Sequence, residues 1–146
     1  MMARWHESLF PTLEELGIGF VAFSPLANGV LGECYNAQTA FDPKTDFRST
    51  MPQFSAESYE KNRHLFNLLN HLADMHRATP AQVSLAWMLC KKPWIVLIPG
   101  TRKLSRLQEN AGAANVKFTP EEVQAIDDAL DSMEMSEVFG GLKVKE

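Results

Sequence analysis

The stretch WIVLIPGTRKLSRLQEN, Trp94 to Asn110, decides how the chain is read. Its first five residues, Trp94-Ile95-Val96-Leu97-Ile98, are apolar without alternation, as in a strand buried on both faces, and they stop at Pro99-Gly100. Leu104-Ser105-Arg106-Leu107 then opens the spacing of a helix. Arg102, Lys103 and Arg106 therefore gather at a helix start, where the macrodipole disfavours each cation by roughly 0.3–1 kcal/mol. Two readings are open at this point. An anion lies among them, held by a helix N-terminus behind a glycine turn, or the stretch is a solvated basic loop screened by salt.

Working outward, a second continuous apolar run, Gly19-Phe20-Val21-Ala22-Phe23, leads into the loop Ser24-Pro25-Leu26-Ala27-Asn28-Gly29. Residues 8–16 have helical spacing, with Pro11 in the first turn and Gly17 as the C-terminal stop. From Gly32 to Phe54 there is little periodicity, and a loop of that length in a compact domain is functional or mobile. A cap at Ser55 starts a helical pattern carrying the stripe Leu65, Leu68, Leu69, Leu72 and Met75. Thr79-Pro80 starts another helix that Lys91-Lys92-Pro93 stops. After the run at 94–98 come a helix from about Lys103 to Gly112 and a capped one from Thr119-Pro120 to about Asp131. Residues 132–146 read as a loosely ordered tail. Strands separated by helical crossovers imply an α/β fold with a parallel sheet. Two strands cannot bury both faces and both edges of such a sheet, so the runs at 18–23 and 94–98 are expected to belong to a larger one.

The 146 residues are 45% hydrophobic and 22% charged, which suits one globular unit with a core. The formal net charge of −4 opposes binding to nucleic acid or an anionic membrane, so any anion has to be caught locally. Cys34 and Cys90 have no metal-type spacing and read as reduced thiols of a cytoplasmic protein. His6, His64, His71 and His76 form no HExxH or i, i+4 pair, and no metal site is expected. No window has the roughly 18 apolar residues of a membrane span.

Four segments in this order, Leu16-Gly17-Ile18-Gly19-Phe20-Val21-Ala22-Phe23-Ser24-Pro25-Leu26, Thr79-Pro80-Ala81-Gln82-Val83-Ser84-Leu85-Ala86-Trp87, Ile98-Pro99-Gly100-Thr101-Arg102 and Glu109-Asn110-Ala111-Gly112-Ala113, resemble the C-terminal part of an aldo-keto reductase. The resemblance implies a partial (β/α)8 TIM barrel of about two parallel strands, the seventh and eighth, with four to five helices. The loops after those strands are where such barrels commonly bind phosphate. It further implies NADP(H) as cofactor. Phe23 would press its ring on the nicotinamide. Ser24, Leu26 and Asn28 would lie over the pyrophosphate, and Gly100, Thr101, Arg102 and Arg106 would grip the adenosine 2′-phosphate, where guanidinium forks suit a dianion. Glu109 and Asn110 would meet the adenine. Gln53 stands where the family commonly has Arg, so no contact is carried over to it.

The family's catalytic Asp, Tyr, Lys and His belong to earlier strands, and this sequence is expected to contain none of them. The first expectation is therefore the cofactor-binding part of an NADP(H)-dependent reductase, inactive alone, whose partner is its missing N-terminal half. The alternative is a residual nucleotide-binding or interaction module that self-associates through its open sheet edge.

Overall fold

The computed structural model describes residues 1–2 and 4–138. Phe20–Ala22 (β1) and Ile95–Leu97 (β2) pair in parallel with Phe20 opposite Ile95 and Ala22 opposite Leu97. The ladder extends one step at each end, through Phe20 N–H donating to the Trp94 carbonyl and Ile98 N–H donating to that of Ala22. Between and around them lie Phe10–Glu15 (α1), Ala56–Lys61 (α2), Arg63–His76 (α3), Pro80–Lys91 (α4), Leu104–Gly112 (α5) and Pro120–Asp131 (α6). These are six α-helices among the described residues, against the four to five expected, because the pattern after Ser55 breaks at Asn62. Asn62 is fully buried and exchanges hydrogen bonds with Ser136, 74 positions away, at 2.8 and 3.0 Å.

Local chemistry sets several boundaries. Thr79 and Thr119 each accept from the N–H three residues on, and Gln82 and Glu122 return the bond, giving two complete capping boxes with Pro at the first helical position. Gly17 ends the α1 region at φ +64, a conformation that costs glycine nothing. Residues 132–138 carry no regular element, yet Ser136 is pinned by Asn62; residues 139–146 of the expected tail lie outside the described residues.

The core joins α3, α4 and α6 through Leu65, Leu69, Val83, Ala86, Trp87, Ile126 and Leu130. An ion-pair network closes its edge. Lys91 Nζ reaches Glu7 at 2.8 Å and Asp127 at 2.9 Å, the Trp87 indole donates to Asp127, and Arg4 holds Glu7 and Asp131. Burial alone would raise the Glu7 carboxyl, but the hydrogen bonds from Arg4 and Lys91 outweigh it and hold it below its ordinary value.

The two faces of the sheet differ. Ile95 is buried toward the helical layer, whereas Val21 on β1, Val96 on β2, and Phe23 and Ile98 one residue past each strand are between 53% and 64% exposed. Side chains two apart share a face, so these four form one bare apolar row. In a closed barrel that row is the inward-facing set.

Candidate functional site: two loops at one end of the sheet

Because β1 and β2 are parallel, the loops that follow them leave the sheet at the same end. That brings the two groups of expected site residues to one rim. The first loop is built from bent backbone. Ser24, Ala27 and Asn28 adopt φ of 47, 49 and 60°, and Gly29 follows at 103°. Three non-glycine residues in the left-handed region within five positions is a costly arrangement, sustained only where the surroundings fix it. Here they do: Pro25 is buried and Val30 and Leu31 are almost fully so, while Gln53 donates to Asn28 Oδ1 at 3.3 Å. A Cβ at Gly29 would come within 2.9 Å of the Tyr35 ring.

Phe23 is exposed on the bare row and, with Ser24, Asn28 and Gln53, lines a cavity of about 130 Å³. Leu26 is turned partly into the core, so its share in ligand contact falls to its backbone.

Residues 33–54, patternless in sequence, are folded onto this loop. Tyr35, Phe41 and Phe54 pack edge to face, and the Arg48 guanidinium lies 4.5 Å from the Phe41 centroid and 4.9 Å from that of Tyr35. Asp46 grips Arg48 through both its side chain and the N–H it caps. The hydrogen bond from Arg48 holds the Asp46 carboxyl down at about 2. The segment is thus braced, and its order comes from contacts that have no sequence period.

The second loop is sparsely held. Gly100 has open space around it, and Thr101, Arg102 and Lys103 are exposed, with Thr101 Oγ1 accepting from the Lys103 N–H at 3.1 Å. Among the described residues neither Arg102 nor Lys103 has an ion-pair partner. α5 begins without a side-chain cap, leaving its first N–H groups to other acceptors. Arg106 and Glu109 bond to each other, which holds the Arg106 guanidinium still more firmly protonated. Asn110 lines a groove with β2 and with Pro99 at the start of the second loop. Of the site residues expected from sequence, Phe23, Ser24, Asn28, Gly100, Thr101 and Arg102 thus stand at the rim. Glu109 is occupied by Arg106. The sequence reading missed the roles of Gln53, Arg48 and Gln82, each of which acts through a partner distant in the chain or through stacking.

Two parallel strands joined by helical crossovers, with both following loops at the same end of the sheet, match part of a (β/α)8 barrel. The aldo/keto reductase family model matches residues 1–131, and the chain belongs to that family. It is 44% identical over 119 residues to the aldo-keto reductase str7 of Strobilurus tenacellus, covering 82% of this chain and 35% of that protein. To the soybean (Glycine max) protein named "Probable aldo-keto reductase 1" it is 36% identical over 135 residues, 92% of this chain and 38% of that one. The chain therefore spans little more than a third of these relatives. Among solved structures, a thermostable aldo-keto reductase crystallised with the inhibitor epalrestat aligns with TM-score 0.56 at 27% identity, covering 86% of this chain and 35% of that one. A glycerol dehydrogenase from Gluconobacter oxydans aligns with TM-score 0.76 at 22% identity, covering 96% and 40%, and bears on the fold alone. No helix among the described residues is long and apolar enough to cross a membrane.

Proposed function

We propose that this chain is the cofactor-binding, C-terminal part of a cytoplasmic NADP(H)-dependent carbonyl reductase. The observation that carries the reading is the second loop: among the described residues Arg102 and Lys103 have no acidic partner, and they stand beside an uncapped helix start, the donor set a phosphate dianion satisfies. Arg102, Thr101 and Arg106 hold the 2′-phosphate, with Lys103 as a helper. For Arg106 to do so, its bond to Glu109 has to be shared or exchanged, and Glu109 then turns to the adenine with Asn110. Ser24 and the backbone of 26–29 face the pyrophosphate, and Phe23 offers an exposed ring to the nicotinamide. The bound cofactor supplies the hydride for carbonyl reduction. The residues of this chain bind and orient it.

Two measurements on the purified chain test this. NADPH binding, followed by the fluorescence of its nicotinamide, is expected to exceed NADH binding at least tenfold; equal affinities overturn the assignment. With an aldehyde present, no NADPH is consumed, because the resemblance places the proton donor and its lysine outside these residues. Sustained aldehyde-dependent oxidation would contradict that.

A second reading rests on the bare row Val21, Phe23, Val96 and Ile98. An exposed apolar sheet face beside unpaired strand edges favours association, with the rest of a barrel or with a second copy. Light scattering from micromolar solutions is expected to give a mass above 16.4 kDa that rises with concentration. A sharp monomer peak with a cooperative thermal transition removes this reading.

A further inference from the structure

Helix α5 carries Arg106, Glu109 and Asn110, yet buries none of its side chains, and Leu104 and Leu107 are 70% and 55% exposed. Packing therefore does little to set its rotation about its own axis. What reaches it is a side chain of α4. Gln82 accepts at Oε1 from the Thr79 N–H at 3.0 Å, completing the capping box, and donates from Nε2 to the Glu109 carbonyl at 3.0 Å. Both ends of the amide are used, one on each helix. Gly112, one turn beyond Glu109, supplies the room: a Cβ there would lie 2.5 Å from Gln82 Nε2. Glycine inside a helix carries an entropic cost, and at this position the missing Cβ is the space the amide occupies. The Gln82 end is flexible and could swing away from a larger residue, but only by leaving the Glu109 carbonyl.

We infer that Gln82 is a positioning residue for the adenosine 2′-phosphate end of the site. It latches α5 to the capped start of α4, so that Arg106 and Glu109 are presented in one orientation, and Gly112 keeps the latch open to it. The inference rests on the cofactor reading above, and it assigns Gln82 no contact with ligand.

Adenosine 2′,5′-bisphosphate, titrated into the full chain by calorimetry, is the probe, with amide hydrogen exchange at Leu107–Gly112 as the second readout. Gln82→Met, which keeps the length but cannot donate, should weaken binding about threefold to tenfold, the range expected of one neutral hydrogen bond. Exchange in α5 should speed up, and the pairing of β1 with β2 should stay protected. Gly112→Ala should give the same loss while leaving the capping box intact. In a Gln82→Ala background there is nothing for the new methyl to displace, so Gly112→Ala should add no further loss. A general structural role for Gln82 would not produce that non-additivity. Wild-type binding that both single substitutions leave unchanged, or a Gly112→Ala loss that adds fully to that of Gln82→Ala, overturns the inference alone. No binding by the wild-type chain overturns the cofactor reading and the inference with it.

Discussion

Strand β1 runs into a loop held by its backbone, and β2 into a loop that presents charge. The first spends four left-handed residues within six positions and fixes them with the buried Val30, Leu31 and Gln53. The second leaves Gly100 in open space and, among the described residues, Arg102 and Lys103 without counter-charges. A neutral, pre-shaped surface treats any dinucleotide alike, since it reads the part all of them share. In the proposed reading, a cluster of cations discriminates by the one group that differs, since its mutual repulsion falls when that group is bound. Under the proposed cofactor reading, affinity in common and discrimination are divided between adjacent loops on one rim.

The sharpest way to break the division is Arg102→Ala. If the second loop alone reads the 2′-phosphate, NADPH binding should weaken about tenfold to a hundredfold, the worth of a charge-assisted hydrogen bond of roughly 1.5–3 kcal/mol. NADH should change little, and raising salt should weaken NADPH more than NADH. Equal losses for the two cofactors, by fluorescence titration, would return residues 99–106 to a solvated basic loop.

The complementary change is Gly29→Ala. An alanine at φ +103, with its methyl against the Tyr35 ring, costs about 1–3 kcal/mol in strain. A thermal midpoint lower by several degrees is expected, together with a loss of affinity that is equal for NADPH and NADH. A loss confined to NADPH would mean that the two loops are not separate in function.

How far this division could be read from the sequence differs between the loops for a physical reason. The second is legible because its chemistry is local: an apolar run, a Pro-Gly stop and cations at a helix start are all neighbours in the chain. The same holds for Thr79-Pro80 and Thr119-Pro120, whose caps lie within three residues. In the first loop, Asn28-Gly29 announces a turn, but nothing in Ser24 or Ala27 signals a left-handed backbone, which the fold imposes from outside. The segment from Gly32 to Phe54 shows little periodicity because Tyr35, Phe41 and Phe54 have no common period, although they form one cluster around Arg48. Asn62 broke a helix the pattern would have continued, through a partner 74 positions on. Thr79-Pro80 marks the start of α4 in the sequence, but nothing there marks the contact of Gln82 with Glu109, 27 residues away.

The smallest expected effect, and the most direct separation of the loops, is in pH. A phosphate monoester takes up its second proton near pH ~6, so between pH 7.5 and 5 a bound 2′-phosphate loses up to one negative charge and with it part of its attraction to Arg102 and Arg106. NADPH affinity should fall about threefold to tenfold over that range. The first loop has no such dependence to offer. The segment folded onto it is braced by the Asp46–Arg48 pair, and Asp46 is held at about 2 by Arg48, below its ordinary 3.8. A carboxyl depressed in the folded state contributes stability that is fully present above its unfolded value and lost only as pH falls through the folded one. The brace therefore stays intact from pH 8 down to about 4 and loosens toward 2, outside the window measured. NADH affinity should be flat from pH 7.5 to 5. An NADH curve that falls in parallel with that of NADPH would place the titrating group on the protein rather than on the ligand, and the contrast between the two loops would fail.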